Sequence, residues 1–176
     1  MEALKDNYQS LEIPRSPGVY ILHLELSSPR TVRIGKFGDH HLPPGEYLYV
    51  GSALGSGGLK ARLGHHLRGS KRHHWHIDWL RRVARVRGCF YTAMKEHREC
   101  SWNQFLMQLP GSCIPVPGFG ASDCSHKPTR CPAHLLRFEM GVNVKSIQDN
   151  LPVNGESQVE YQKLTYHFQP DFSDIE

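Results

Sequence analysis

The chain has 176 residues, enough for one domain with a real core and too few for two comfortable ones. Its 39% apolar content, with seven Phe, seven Tyr and three Trp, excludes a disordered polar polymer. The net charge of +4 hides an uneven distribution: residues 52–98 carry eleven Lys/Arg against two acids, and residues 139–176 carry two Lys against seven acids.

Residues 1–17 read as an arm ending in a proline-bounded turn, with Pro14 and Pro17 and no apolar leader core. Gly18 to Leu26 has the composition of a strand, with Val19, Ile21 and His23 on one face and Tyr20, Leu22 and Leu24 on the other. Both faces are mostly apolar, which predicts a buried position. Thr31 to Phe37 and Glu46 to Gly51 read as two further strands separated by Pro43-Pro44-Gly45, so an antiparallel meander is the simplest arrangement. After a glycine-rich lead, Leu59, Leu63 and Leu67 recur at helical spacing. A second helix is predicted from about His74 to Val86, and a fourth strand from Gly88 to Met94. A third helix is predicted over Glu99 to Leu109, closed by Pro110-Gly111. Residues 115–132 form a long Gly/Pro-rich loop, His134 to Phe138 a last core strand, and Val159 to Phe168 a candidate edge strand. The expected fold class is α/β of the α+β type, a small and mainly antiparallel sheet flanked by helices.

The basic middle of the chain suits a polyanion, attracted without sequence preference. The five cysteines, Cys89, Cys100, Cys113, Cys124 and Cys131, leave one over if paired. With no apolar run near the length of a membrane span, a reducing cytoplasm and free thiols are expected, and no membrane partner.

Two tyrosine-bearing signatures bracket the first strands: Gly18-Val19-Tyr20 and Tyr49-Val50-Gly51, followed by Leu59-Lys60-Ala61-Arg62 and, later, Glu99. Two phenols, a guanidinium and one carboxylate suit the hydrolysis of a phosphodiester. A phenol of pKa near 10 is about one part in a thousand ionised at neutral pH, so a tyrosine base needs a neighbouring cation or metal-bound water. Arg62 and His66, spaced i,i+4, share a helical flank and could supply that help, with His65 the alternative histidine. A guanidinium also holds two phosphate oxygens and stabilises transition-state charge. Glu99 offers the hard oxygen that Mg²⁺ or Mn²⁺ favours, with Glu96 as the fallback ligand. Cys124, His126, Cys131 and His134 have the donor types of a tetrahedral zinc site, but at tighter spacing than the usual paired ligands, and packed thiols are the simpler reading.

These signatures, with the segments GEYLYVGSALGSGGLKARL, HWHIDWL, REC and GFGASDC, resemble the GIY-YIG nuclease superfamily. The likeness is to a branch of it whose members occur alone or fused to endonuclease-III-like repair proteins, and it covers roughly residues 15–138. The resemblance implies a GIY-YIG-like domain over residues 18–140, between the N-terminal arm of residues 1–17 and an acidic C-terminal extension over residues 141–176. It implies a metal-dependent endonuclease of DNA repair or processing, acting on DNA rather than RNA, with a repair protein as a possible partner. The alternative is an inactive nucleic-acid-binding module on the same scaffold. The resemblance implies Tyr20 as base, Tyr49 orienting water or phosphate, Arg62 at the phosphate and Glu99 at the metal, and His66 completes the expected catalytic set near the phenols. Gly51, Ser52, Lys60, Arg68, His76 and Asp78 are the expected substrate contacts. The spacer between the two signatures is longer than in the classical nucleases.

Overall fold

A computed structural model describes residues 12–68, 74–124, 130–155 and 157–164. Its organising element is β1 (Gly18–Leu26), buried along almost its whole length. Tyr20, Leu22 and Leu24 enter one core cluster and Val19 and Ile21 the other, as the two-residue period of a strand requires. A strand apolar on both faces needs cover on both, so it lies inside the sheet. β4 (Gly45–Ser52) pairs with it on one side and β5 (Arg85–Ala93) on the other, both antiparallel. β7 (Leu135–Phe138) joins β4, and β6 (Ser112–Cys113) joins β7. At the opposite edge β8 (Glu160–Lys163) pairs with β5. The six strands run in the order β6-β7-β4-β1-β5-β8, and with four helices they make an α+β fold.

Each face has its own cover. On the face of Tyr20 and Leu22, α1 (Gly58–Arg68) brings Leu59 and Leu63, and α2 (His76–Leu80) brings Ile77 and Leu80. A separate hairpin of β2 (Arg30–Arg33) and β3 (Asp39–Leu42) adds Val32, Ile34 and Leu42. On the face of Val19 and Ile21, α3 (Glu99–Met107) buries Trp102 and Leu106, and α4 (Val144–Asn150) buries Ile147. The Trp102 indole N–H donates to the Pro152 carbonyl at 2.9 Å, so the segment read as an acidic extension contributes a helix, an edge strand and core contacts. Fully burying a side chain such as Leu106 contributes about 2 kcal/mol.

The structure corrects the predicted meander. β1 does not pair with the next strand in sequence; its partner is β4, and the residues between fold into the two-stranded β2–β3 hairpin, which leaves the main sheet. Gly35–Phe37 is a turn of 3-10 helix rather than strand. The helix predicted from His74 to Val86 spans only His76–Leu80, because Val86 pairs opposite Leu24 of β1. Sheet pairing there overrides helical periodicity. Among the described residues no helix is long and apolar enough to cross a membrane.

Candidate active site

The two signatures meet because β1 and β4 are neighbours. Tyr20 lies opposite Gly51 in the ladder. A Cβ at Gly51 would stand 2.4 Å from the Tyr20 hydroxyl oxygen, so the glycine of the second signature makes room for the phenol of the first. Gly120 does the same for the other tyrosine: its φ is +72°, and a Cβ there would lie 2.8 Å from Tyr49 Cε2. Helix α1 is anchored beside them by its backbone, where Leu59 and Lys60 N–H donate to the carbonyls of Ser16 and Pro14 at 2.9 and 3.0 Å. That anchorage directs Arg62 and His66 toward the tyrosines.

The Tyr20 hydroxyl and His66 Nε2 are 2.8 Å apart. On the other side of the imidazole, Asp78 Oδ1 lies 3.7 Å from His66 Nδ1 and 3.4 Å from His65 Nε2. Asp78 Oδ2 accepts from the backbone N–H groups of His74 and Trp75 at 2.9 and 3.0 Å, which caps α2. Burial opposes ionisation of Asp78, but the His66 contact and these N–H groups outweigh it and hold the carboxyl well below its usual range. Burial pushes His66 down to about 4 despite the pull of Asp78, so at neutral pH an uncharged imidazole faces a carboxylate. That carboxylate favours the tautomer with the proton on Nδ1, leaving the Nε2 lone pair to accept from the Tyr20 O–H. Burial raises Tyr20 well above its ordinary value and Tyr49 adds to the rise, while Arg62 pulls it down. The phenol is therefore protonated at rest. Arg81, itself buried, donates through its guanidinium to the His66 and Leu67 carbonyls, satisfying the end of α1.

In front of Tyr20 opens a cavity of about 150 Å³, roughly ten times what one water needs. Tyr20, Tyr49, Arg62 and Glu99 line it, with Gly51, Ser52 and His76. The Arg62 guanidinium lies 4.2 Å above the Trp75 ring, a stack that fixes a planar cation at the cavity wall. Glu99, at the first position of α3, has His97 Nδ1 3.3 Å from its Oε1. His76 Nδ1 accepts from the Gly120 N–H at 3.1 Å, tying α2 to the loop that cradles Tyr49.

Three expected substrate contacts stand elsewhere. Lys60 and Arg68 are exposed on α1 and are not part of the cavity wall. Asp78 is buried behind the histidines, where its oxygens meet backbone N–H groups and imidazoles. The basic stretch is also not one surface: Arg81 is buried and Arg87 pairs with Glu25 at 2.9 Å.

The wall includes Trp75 and Ser122, for which no role was expected, and His134, expected only as a candidate zinc ligand. Trp75 sits within the HWHIDWL segment, the one signal that could have singled it out. Of the candidate zinc ligands, His126 lies outside the described residues. Cys100 instead joins Cys124, Cys131 and His134 in a group whose ligand atoms all lie within 4.8 Å of one another, and His65, His66 and Asp78 form a second group able to hold a metal.

A family model described as a domain of unknown function, DUF123, matches residues 19–153. No curated protein matches the chain, and no solved structure does.

Proposed function

The chain belongs to the DUF123 family, and from its site we propose that it hydrolyses nucleic-acid phosphodiesters with a divalent metal, as a GIY-YIG-type endonuclease acting in DNA repair or processing. The observation that carries this reading is the convergence of Tyr20, Tyr49, Arg62 and Glu99 on one cavity, with a neutral histidine against the first phenol. These four residues, spread from position 20 to position 99, and His66 supply an acid–base pair, an anion clamp and a hard oxygen ligand. Those are the parts that phosphodiester hydrolysis needs.

Glu99 presents carboxylate oxygen at the cavity wall, a donor suited to Mg²⁺ or Mn²⁺, which keep several waters and accept a substrate phosphate oxygen as a further ligand. Such an ion, when bound, supplies charge stabilisation to the phosphate. The chain's own residues do the rest. Arg62 holds the non-bridging phosphate oxygens, its plane kept by Trp75. Tyr49 orients the attacking water. As the water oxygen bonds to phosphorus, the water proton passes to the Tyr20 oxygen while the Tyr20 proton passes to His66 Nε2. The resulting imidazolium faces the Asp78 carboxylate. The bond from phosphorus to the leaving oxygen breaks, and that oxygen takes a proton from solvent. Because the phenol is raised and the imidazole lowered, neither charged form accumulates beforehand, and the two proton transfers accompany attack in one step.

The test is a panel of labelled single-stranded, duplex, nicked and branched DNA and RNA with Mg²⁺ or Mn²⁺. The proposal expects turnover that EDTA abolishes, on DNA in preference to RNA. Salt-sensitive binding without turnover would instead identify a recognition module on the same scaffold.

A further inference from the structure

Beside the proposed active site lies a second donor cluster of different chemistry. Cys100 in the first turn of α3, Cys124 at the end of a 3-10 turn (Ser122–Cys124), Cys131 and His134 bring three thiols and one imidazole together. The Cys124 sulfur lies 3.3 Å from the Cys100 sulfur and 3.1 Å from His134 Nε2. Cys124, Cys131 and His134 are buried, and Cys100 is half-buried. All five cysteines of the chain are thiols, and 3.3 Å is well beyond the ~2.0 Å of a disulfide.

We infer that Cys100, Cys124, Cys131 and His134 bind one structural Zn²⁺ ion. Four ligands of this type match a closed tetrahedral Cys₃His site, in which Zn–S near 2.3 Å and Zn–N near 2.0–2.1 Å put neighbouring donor atoms roughly 3.5–3.8 Å apart. The two separations at Cys124 are about half an ångström shorter and all the donor atoms lie within 4.8 Å of one another, so the group needs only a small adjustment to seat an ion. Three thiolates select a soft or borderline cation over Mg²⁺ or Ca²⁺. Burial, followed by the hydrogen bond and charge of Cys100, raises the Cys124 and Cys131 thiols, and a bound dication inverts that balance by taking the deprotonated sulfurs as ligands.

The backbone already holds the frame. Gly118 N–H donates to the Pro132 carbonyl at 2.6 Å, His134 N–H to the Phe119 carbonyl at 2.7 Å and Val50 N–H to the His134 carbonyl at 2.9 Å. An ion at this point joins the start of α3, the 3-10 turn and the approach to β7. Each carries a wall residue of the cavity: Glu99 beside Cys100, Ser122 near Cys124, and His134 itself. The zinc thus fixes where Glu99 stands, and it is distinct from any ion that Glu99 would hold. The inference goes beyond the hydrolytic reading and does not depend on it.

The test is metal analysis of the untagged full chain, purified with reductant and added zinc and then desalted. The expected content is about one zinc per chain, lowered to about a tenth of that in Cys100→Ser and in Cys131→Ser and retained in His126→Ala. Chelation is expected to lower the melting temperature by roughly 10 °C and to make the cluster thiols reactive. Should the serine variants fail to fold, cobalt exchanged into the wild type serves instead: it should show tetrahedral ligand-field bands and thiolate charge transfer. Absence of zinc after this loading, zinc retained by both serine variants, iron in place of zinc, or cobalt spectra without thiolate bands would each overturn the assignment.

Discussion

Acidification should weaken the fold through His66, and the size of the effect follows from its surroundings. Burial lowers this imidazole from 6.5 to about 4, and each tenfold change in proton affinity is equivalent to about 1.4 kcal/mol. The folded state thus binds this proton less readily than the unfolded chain. His66 leaves stability untouched above pH 6.5, lowers it as pH falls from 6.5 toward 4, and has no further effect below that. The full loss is about 3–4 kcal/mol. Asp78 acts in a separate window: its folded value lies below the ordinary 3.8, so its contribution is present above 3.8 and disappears only at lower pH. Urea unfolding at steps between about pH 7.5 and 4.5 isolates the histidine when the wild type is compared with His66→Gln, which keeps an acceptor for Tyr20 but does not titrate. The wild-type midpoint should fall by about 1–2 M urea more than the variant's across that range, at m-values typical of this size. Parallel curves would refute the claim that a neutral, buried His66 sits against Asp78.

Arg62→Ala should reduce cleavage by about 10²–10³-fold, the loss typical of one transition-state donor, with the melting temperature nearly unchanged; Trp75→Leu, which removes the stack together with the ring's contacts to His65 and His66, should cost at least about tenfold. Gly51→Ala places a methyl against the Tyr20 ring and should destabilise by about 1–3 kcal/mol, read by urea denaturation, with loss of activity at temperatures where the variant is still folded. Asp78→Asn keeps an oxygen for the α2 cap but removes the charge that sets the His66 tautomer. It should lower kcat by at least about tenfold while KM holds, and an equal change in both would count against the positioning role.

The parts of the fold legible from sequence were those governed by local periodicity. Alternation along β1, the leucine spacing of α1 and the Trp102/Leu106 face of α3 each report their own element. Pairing is not local, and there the reading failed: nothing in residues 31–42 says that they leave the sheet for a hairpin, or that Val86 will join β1 instead of extending a helix. Segments as short as β6 and α4 carry too few periods to register. At the site, the sequence named Tyr20, Tyr49, Arg62 and Glu99 but could not show them at one cavity. The choice between His65 and His66 needed geometry, since burial and the contact with the Tyr20 hydroxyl single out His66. The likeness of the HWHIDWL segment made Asp78 an expected substrate contact; its burial and backbone partners turn it toward the histidines. Cys100 lies 24 residues from Cys124, and only the fold brings the two together.

Single-turnover cleavage in Mg²⁺ of the best substrate from the nucleic-acid panel, comparing the wild type with Tyr20→Phe, Arg62→Ala and Glu99→Gln, tests the proposed hydrolysis at its source. Cleavage by the wild type is expected, with near-complete loss in all three variants, each still folded. Cleavage that persists in the three variants, or a wild type that binds without ever cutting, would contradict it.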